Sequence, residues 1–352
     1  MKLLPLFTLH SSLFTVVAAF AAFSVRAATP YGDGADVVNS GSGLAFLGES
    51  HLLATTGSSA TPGNGKKERA IIAYSIEKPE RPAEVGRLAL DGAPFPQGIA
   101  VAGDRAFVVD GLNLWCVDAK DPAKMSVIAK AAISDAGETG PRAIVLSPDG
   151  KTAYLACGHA GVRAYDLADP ASPRLLWECK TFFSRDVELF ADGVASAEEL
   201  SGVAFVRDGK LVSRLKLPRD GAVSLRASGD RLFVANGTQL LAIVGLDADG
   251  NLKVLGSQAG AGRPLFGTYC YFVLPVRNKV YALDGESGIY ELSVDGRNTV
   301  KIAKASGKLK YYYVTKAAIA RDDWLFVSCS GIDGPSRLLV FDLMANALKP
   351  VN

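Results

Sequence analysis

Residues 162–173 read Val-Arg-Ala-Tyr-Asp-Leu-Ala-Asp-Pro-Ala-Ser-Pro, a short apolar strand that ends in an acid and is followed by a proline turn. The same pattern occurs at residues 72–82 (Ile-Ala-Tyr-Ser-Ile-Glu-Lys-Pro-Glu-Arg-Pro) and at residues 114–124 (Leu-Trp-Cys-Val-Asp-Ala-Lys-Asp-Pro-Ala-Lys). The first prolines of the three turns are 43 and 48 residues apart. A period of this length is typical of the blades of a β-propeller.

A second element recurs upstream of these turns, namely a hairpin turn followed by an apolar run that ends in a polar residue and glycine. Clear examples are residues 103–111 (GDRAFVVDG) and residues 229–237 (GDRLFVANG). Gly-Asp pairs suit tight hairpins, and the β-branched and aromatic residues that follow favour strands. Together the two elements define seven units of four strands, at 43–90, 96–133, 141–180, 184–217, 222–260, 267–304 and 311–352.

A four-stranded sheet with two apolar faces cannot bury both faces alone, but radial stacking buries each face against a neighbour. The predicted fold is therefore all-β, a seven-bladed β-propeller of four-stranded antiparallel blades over residues 43–352, with a lead-in at 28–42. The fourth unit is the least regular, with a weak second strand at Val194–Ala197. Two β-sandwiches are the alternative, although the middle of the chain lacks the Pro/Ser-rich linker that they require.

Residues 161–176 (GVRAYDLADPASPRLL) resemble the LVIVD repeat of bacterial exported propellers, in which a Leu-Xaa-Val-Xaa-Asp strand precedes an Asp-Pro turn. Residues 114–122 match this repeat well, and residues 70–82 and 337–342 match it in part. Units four to six lack the Asp-Pro turn. The resemblance implies a propeller fold and an exported protein, but it implies no single activity because such repeats occur in surface, periplasmic and binding proteins.

The first 27 residues predict a signal peptide. Lys2 precedes the apolar run Leu13–Val25, and residues 25–27 (Val-Arg-Ala) form a cleavage site. This predicts a periplasmic or secreted protein with no membrane span after cleavage, and an uncleaved anchor is the alternative. The chain has 38 basic and 36 acidic residues, and cleavage removes Lys2 and Arg26. The balanced charge that remains argues against a nucleic-acid partner.

The five cysteines are widely spaced and include no CxxC pair. Several of them lie in apolar, strand-like runs, which predicts buried thiols. Because exported proteins form disulfides, one bridge stays open as an alternative, and the sequence does not give its connectivity. The cysteines are Cys116, Cys157, Cys179, Cys270 and Cys329.

The loops that join strands b and c within a blade, and strand d to the next strand a, gather on one propeller face around the central channel. Polar residues at these positions predict a site for a polar small molecule, a carbohydrate or a protein partner. Asp110, Asn236 and Asp284 also precede glycine, as in ordinary hairpin turns. Arg142 and Arg185 have the alternative role of bracing a neighbouring blade. The candidate ligand-binding residues are Gln97, Asp110, Arg142, His159, Arg185, Asn236 and Asp284, and Glu198 or Glu199, Tyr271 and Ser330 occupy similar positions.

Histidine is scarce after the predicted cleavage, with only His51 and His159 left. His51 belongs to a turn on the opposite face, which predicts a structural role. His159 is the candidate catalytic acid or base. No G-x-S-x-G, Walker or CxxCH motif occurs, and no cofactor is predicted, although a divalent metal held by carboxylates in the channel stays open. The aromatic run 311–313 predicts either core packing or a sugar-stacking platform.

Two functions follow from these residues. The first is a monomeric binding or interaction module that uses the loop face around the channel. The alternative is an enzyme on a propeller scaffold, a carbohydrate-active lyase or hydrolase or a lactonase, with His159 as acid or base beside an arginine and a carboxylate. An enzyme requires these groups to converge at the channel mouth.

Overall fold

The computed structural model describes residues 40–56, 69–133, 140–217, 221–259, 270–284, 288–306, 312–331 and 337–352. Within these ranges the side chains of 40–42, 312–316, 329–331 and 337 are not described. The strands form seven antiparallel sheets, and the inner strand of each sheet contacts the inner strand of the next. The last inner strand contacts the first, so the sheets close into a seven-bladed β-propeller.

The blades follow one another along the chain, and each is a meander of consecutive strands. The strands of blades 1 to 4 are β1 (Ser40–Leu47), β2 (His51–Thr56), β3 (Ala70–Ser75), β4 (Ala83–Ala89), β5 (Ile99–Ala102), β6 (Arg105–Val109), β7 (Asn113–Asp118), β8 (Ser126–Ala132), β9 (Ala143–Leu146), β10 (Thr152–Ala156), β11 (Val162–Asp166), β12 (Arg174–Cys179), β13 (Asp186–Phe190), β14 (Gly193–Ala197), β15 (Val203–Arg207) and β16 (Lys210–Leu215). Those of blades 5 to 7 are β17 (Ser224–Ser228), β18 (Arg231–Ala235), β19 (Leu241–Leu246), β20 (Leu252–Gln258), β21 (Cys270–Val276), β22 (Lys279–Asp284), β23 (Gly288–Val294), β24 (Val300–Ala305), β25 (Tyr312–Arg321), β26 (Trp324–Gly331) and β27 (Arg337–Asp342).

The hydrophobic core is divided into seven clusters, and each cluster lies between two neighbouring blades. The side chains of strand β6 illustrate this division. Ala106 and Val108 belong to the cluster shared with blade 1, whereas Phe107 and Val109 belong to the cluster shared with blade 3. Because successive side chains of a strand point to opposite faces, a sheet buried on both sides requires a nearly continuous apolar run.

An aspartate at the end of strand c closes the turn that follows this strand in five blades. The Asp118 and Asp166 carboxylates each accept a hydrogen bond from a backbone N–H two residues on. Asp247 and Asp295 do the same in blades 5 and 6, and Asp342 does so in blade 7. The repeat therefore continues through units that lack the Asp-Pro turn, because the aspartate supplies the turn.

A β-bulge interrupts the pairing of strands c and d at the same place in each of the first six blades. The residue that follows the bulge lies beside the c–d turn of the next blade. In blade 1 this residue is Gly86, where an added Cβ would lie 1.9 Å from the carbonyl oxygen of Pro122. In blade 3 it is Trp177, against which Gly209 packs. The bulge thus directs the outer strand toward its neighbour.

The ring closes between blades 7 and 1 through side chains. Leu44 and Leu52 pack with Phe326 and Val340 in one cluster. The Arg321 guanidinium donates to the carbonyl oxygens of two residues in the β1–β2 turn and lies 3.8 Å from the ring centroid of Phe46. Among the described residues blade 7 has three strands, and residues 350–352 cover its outer edge by bonding to β27.

The seven-bladed all-β architecture is confirmed. The irregular fourth unit forms a full blade, with Gly193–Ala197 as strand β14. Strand β1 begins at Ser40, inside the segment predicted as a lead-in, whereas the predicted signal peptide lies outside the described residues. The described part of the chain has no helix with the length and apolar character needed to cross a membrane. Four cysteines are buried free thiols, and the side chain of Cys329 is not described.

The contact at Gly86 yields a test of the packing between blades. Gly86→Ala forces the β4 backbone away from the Pro122 carbonyl, so we expect the free energy of unfolding to fall by about 2 kcal/mol. Gly296→Ala is the matched control because an added Cβ there meets nothing within 4 Å. Urea unfolding of both variants measures the difference, and equal stabilities would contradict the proposed contact.

Candidate functional site

The first residues of the inner strands surround a cavity of about 430 Å³ on the propeller axis. The chain enters an inner strand from the loop that follows strand d of the preceding blade. The residues at the start of the inner strands therefore lie near the face that carries the d–a and b–c loops. In blades 3 and 4 the lining runs from the residue that precedes the inner strand to the third residue of the strand, whereas β1 and β25 line the cavity further along, at residues 43–44 and 317–318. Its volume lies within the range of small-molecule sites in proteins.

Four residues occupy one equivalent position at the channel mouth, immediately before or at the start of strands β5, β9, β13 and β17. The backbone N–H of each donates to the residue at the end of its own second strand. These bonds join Gln97 to Val109 (2.8 Å), Arg142 to Ala156 (2.8 Å), Arg185 to Ala197 (2.8 Å) and Val223 to Ala235 (2.9 Å). The shared bond places the side chains at one level of the channel, where Tyr271 also lines the cavity.

Two arginines therefore lie side by side at the mouth. Arg185 donates to Glu199 across 2.7 Å, in an ion pair that is about one-third exposed. Arg142 lies over the ring of Phe183, 5.3 Å from its centroid, and has no carboxylate partner among the described residues. Burial and the nearby charge of Arg185 lower the pKa of Arg142, and Glu199 partly offsets this effect. Both guanidiniums stay charged at neutral pH.

A second charged group lies deeper in the cavity, on blades 4 and 5. The Asp186 carboxylate accepts a hydrogen bond from the Leu225 backbone (3.1 Å) and another from Arg226 (2.8 Å). Glu188 Oε2 lies 3.8 Å from Arg226 Nε. Burial raises the pKa of Glu188 to about 7, an effect that Arg226 opposes and Asp186 reinforces. Arg226 also lies 4.4 Å from the ring centroid of Phe272.

The opposite wall is built from small residues because the inner strands approach one another closely there. A Cβ added to Gly43 would lie 2.3 Å from the Gln97 carbonyl, and one added to Gly98 would lie 2.9 Å from the Cα of Ala143. Ala317 lines the same wall. The cavity therefore has a charged side on blades 3 to 5 and a small, apolar side on blades 7, 1 and 2.

Among the seven predicted ligand-binding residues, Gln97, Arg142 and Arg185 line the cavity together. Asp110 does not line it. Its buried carboxylate accepts hydrogen bonds from Asn113 and from the indole N–H of Trp115 (2.6 Å), inside its own blade. These bonds show that Asp110 closes the turn between β6 and β7.

His159, the candidate catalytic residue, is exposed on the b–c loop of blade 3. Its ring lies 4.7 Å from the ring of Phe183, in an edge-on arrangement. Arg142 contacts the same phenylalanine, so His159 and the channel mouth are connected through Phe183. His159 itself does not line the cavity. His51 lies beside the β1–β2 turn, with Nδ1 3.0 Å from the Ser50 hydroxyl.

Asn236 and Asp284 are buried at the ends of β18 and β22, outside the cavity lining. The described residues contain no group of three or more His, Cys, Asp or Glu side chains with the spacing of a metal site. The side chains at 311–313 and of Ser330 are not described, so the prediction of a sugar-stacking platform falls outside the described part of the structure.

Asp186, Glu188 and Arg226 were not among the candidate residues. Arg185 pairs with Glu199, and Asp186 pairs with Arg226. One sequence signal was present, because β13 has acids at Asp186 and Glu188, whereas the equivalent residues of blades 2 and 3 (98–100 and 143–145) are Gly-Ile-Ala and Ala-Ile-Val. Charges at alternate positions of a strand share one side of it.

Similarities to known proteins concern the fold alone. The crystal structure of the computationally designed Ika8 protein gives a TM-score of 0.56 at 10% identity, covering 88% of this chain and 98% of the other. A protein from Lactobacillus plantarum gives 0.62 at 15% identity, covering 85% and 88%. No protein-family model matches the chain, and no curated protein is similar to it in sequence. The resemblance to the LVIVD repeat therefore stays a prediction.

The raised pKa of Glu188 predicts a pH-dependent stability. The folded protein holds this proton up to about pH 7, whereas the unfolded chain releases it near the ordinary value of 4.5, so stability is lost as pH rises through this window. Glu188→Gln cannot ionise at this position and should escape this loss. The free energy of unfolding of Glu188→Gln, taken relative to that of wild type, should therefore rise by on the order of 2 kcal/mol from pH 5 to pH 8.

Urea unfolding at the two pH values measures this change. Glu84→Gln is the control because Glu84 forms an exposed ion pair with Arg87 on β4. Its stability relative to wild type should not depend on pH in this range. Parallel pH profiles for wild type and Glu188→Gln would show that Glu188 is ionised normally.

Proposed function

We propose that this propeller is a binding module that takes a small anionic molecule at the channel mouth. The observation that carries the proposal is the position of Arg142, a half-buried guanidinium that lines the cavity beside Arg185 without a carboxylate partner among the described residues. Two cations at the mouth share one carboxylate, that of Glu199. An anion that enters the mouth supplies the missing charge.

The chemistry of arginine favours a carboxylate or phosphate ligand. The guanidinium is planar and presents paired N–H donors that match the two oxygens of such a group. Burial, and after it repulsion by Arg185, makes the charged form of Arg142 less stable and lowers its pKa. Binding of an anion relieves this repulsion, and the half-buried position reduces screening by salt.

The rest of the cavity favours an organic anion over a bare ion. The cavity of about 430 Å³ has room for a body of several heavy atoms, and Gln97 provides an amide donor and acceptor at the mouth. Glu188 provides a hydrogen-bonding carboxyl group deeper in the channel. A sugar acid or a di- or tricarboxylate satisfies these groups, in agreement with the polar or carbohydrate ligand expected from the sequence.

The alternative enzyme requires His159, an arginine and a carboxylate to converge. His159 lies on an exposed loop against Phe183, outside the cavity lining, and Asp110 is bonded within its own turn. This separation supports binding over catalysis. Export to the periplasm or the medium remains our proposal from the composition of residues 1–27.

Arg142→Gln tests the proposed function. The variant removes the unpaired charge and keeps a polar amide on a shorter side chain, so the affinity for a bound anion should fall about 10- to 100-fold. Thermal shift with D-galacturonate, citrate and inorganic phosphate identifies the probe, and isothermal titration calorimetry measures its affinity.

Arg174→Gln is the matched control because Arg174 pairs with Asp166 on the exposed outer strand of blade 3. Its affinity for the same anion should equal that of wild type. The proposed function would be wrong if no anion of the panel bound, or if both variants bound it as well as wild type.

A further inference from the structure

We propose that Glu199 is a positioning residue that acts as a built-in counter-ion, competing with the anionic ligand for Arg185 and thereby setting its affinity. This inference rests on the proposed function, because it concerns the same channel mouth. Glu199 lies in a loop outside the cavity lining, and in this role it controls how strongly the site binds an anion.

The backbone of Glu199 is the first observation. Glu199 is the second residue of the b–c loop of blade 4 and has a φ of 45°. In blades 2, 3 and 5 the corresponding residues are glycines with positive φ, namely Gly111 (92°), Gly158 (55°) and Gly237 (49°). The loop therefore requires a left-handed residue, and glycine adopts that conformation without steric cost. Blade 4 has a glutamate there instead.

Hydrogen bonds hold this conformation in place. The backbone N–H of Glu199 donates to Ala222 (2.8 Å), and its carbonyl accepts from Ala222 and from Gly202 (2.9 Å each). Gly158 forms the equivalent backbone bridge with Ser184 in blade 3. Because the bridge is the same in both blades, the glutamate side chain is not needed to build the loop. A strained non-glycine residue that the fold does not require indicates a functional role.

The side chain of Glu199 is the second observation. It reaches from the loop to the mouth, where Oε1 lies 2.7 Å from Arg185 Nη1, and it also reduces the effect of Arg185 on Arg142. Without a bound anion, the Glu199 carboxylate pairs with Arg185 in the way that a ligand carboxylate would. An anion that binds both arginines must displace or approach Glu199, and the repulsion between the two negative charges weakens binding.

Two variants separate the charge of Glu199 from its strain. Glu199→Gln removes the charge and keeps the backbone cost, so the dissociation constant of the anion that binds wild type should fall about three- to tenfold. Glu199→Gly, which introduces the residue found in the neighbouring blades, should give the same gain in affinity and should melt about 2 °C above Glu199→Gln, because both variants lack the charge and only Glu199→Gln keeps the strain. Glu84→Gln should leave both quantities unchanged.

Calorimetry with galacturonate, citrate and phosphate gives the dissociation constants, and thermal unfolding without anion gives the melting temperatures. If wild type binds an anion but Glu199→Gln binds it equally or more weakly, the counter-ion role is wrong while the proposed function stands. If Glu199→Gly melts below Glu199→Gln, the side chain is needed for the loop and its role is structural. If neither wild type nor either variant binds an anion, the proposed function itself fails.

Discussion

The structure depends on one constraint, that every blade has two apolar faces and that only a neighbouring blade can cover each of them. The seven hydrophobic clusters all lie between blades, and none lies within a single sheet. Strand β22 divides its side chains in the same way as β6, with Val280 and Ala282 facing blade 5 and Tyr281 and Leu283 facing blade 7. A blade therefore gains its stability from its neighbours, and the ring closes because an open end would expose one whole face.

The same constraint explains why the charges of the channel are confined to one side. Close approach of the inner strands requires small residues at the position occupied by Gly43, Gly98 and Ala143. Asp186 stands at this position in blade 4 and is accommodated because its carboxylate bonds to the backbone of Leu225 and to Arg226 in the next blade. A regular scaffold thus holds an asymmetric site, since a single blade differs where its neighbours are alike.

The fold could be predicted from the sequence because its signals are local and repeated. Turn residues such as Asp118 and Asp166 and continuous apolar runs such as 106–109 depend only on residues nearby in the chain. The site was predicted only in part, because its geometry depends on contacts between blades. Arg142 and Asp110 both occupy polar loop positions, but Trp115 binds the Asp110 carboxylate whereas Arg142 extends into the channel. The partners of Glu188 lie on another blade, and no local pattern identifies them.

The closure between blades 7 and 1 has a topological consequence. In the described residues, each sheet takes its strands from one continuous stretch of chain, so the junction between the last and first blades is formed by side-chain packing like the other six. None of the strands in the described ranges is exchanged across this junction. The seven junctions are therefore interchangeable in connectivity, and a circular permutant that opens the chain at another d–a connection preserves every strand pairing and every interface, provided that the present termini are joined by a sufficiently long linker.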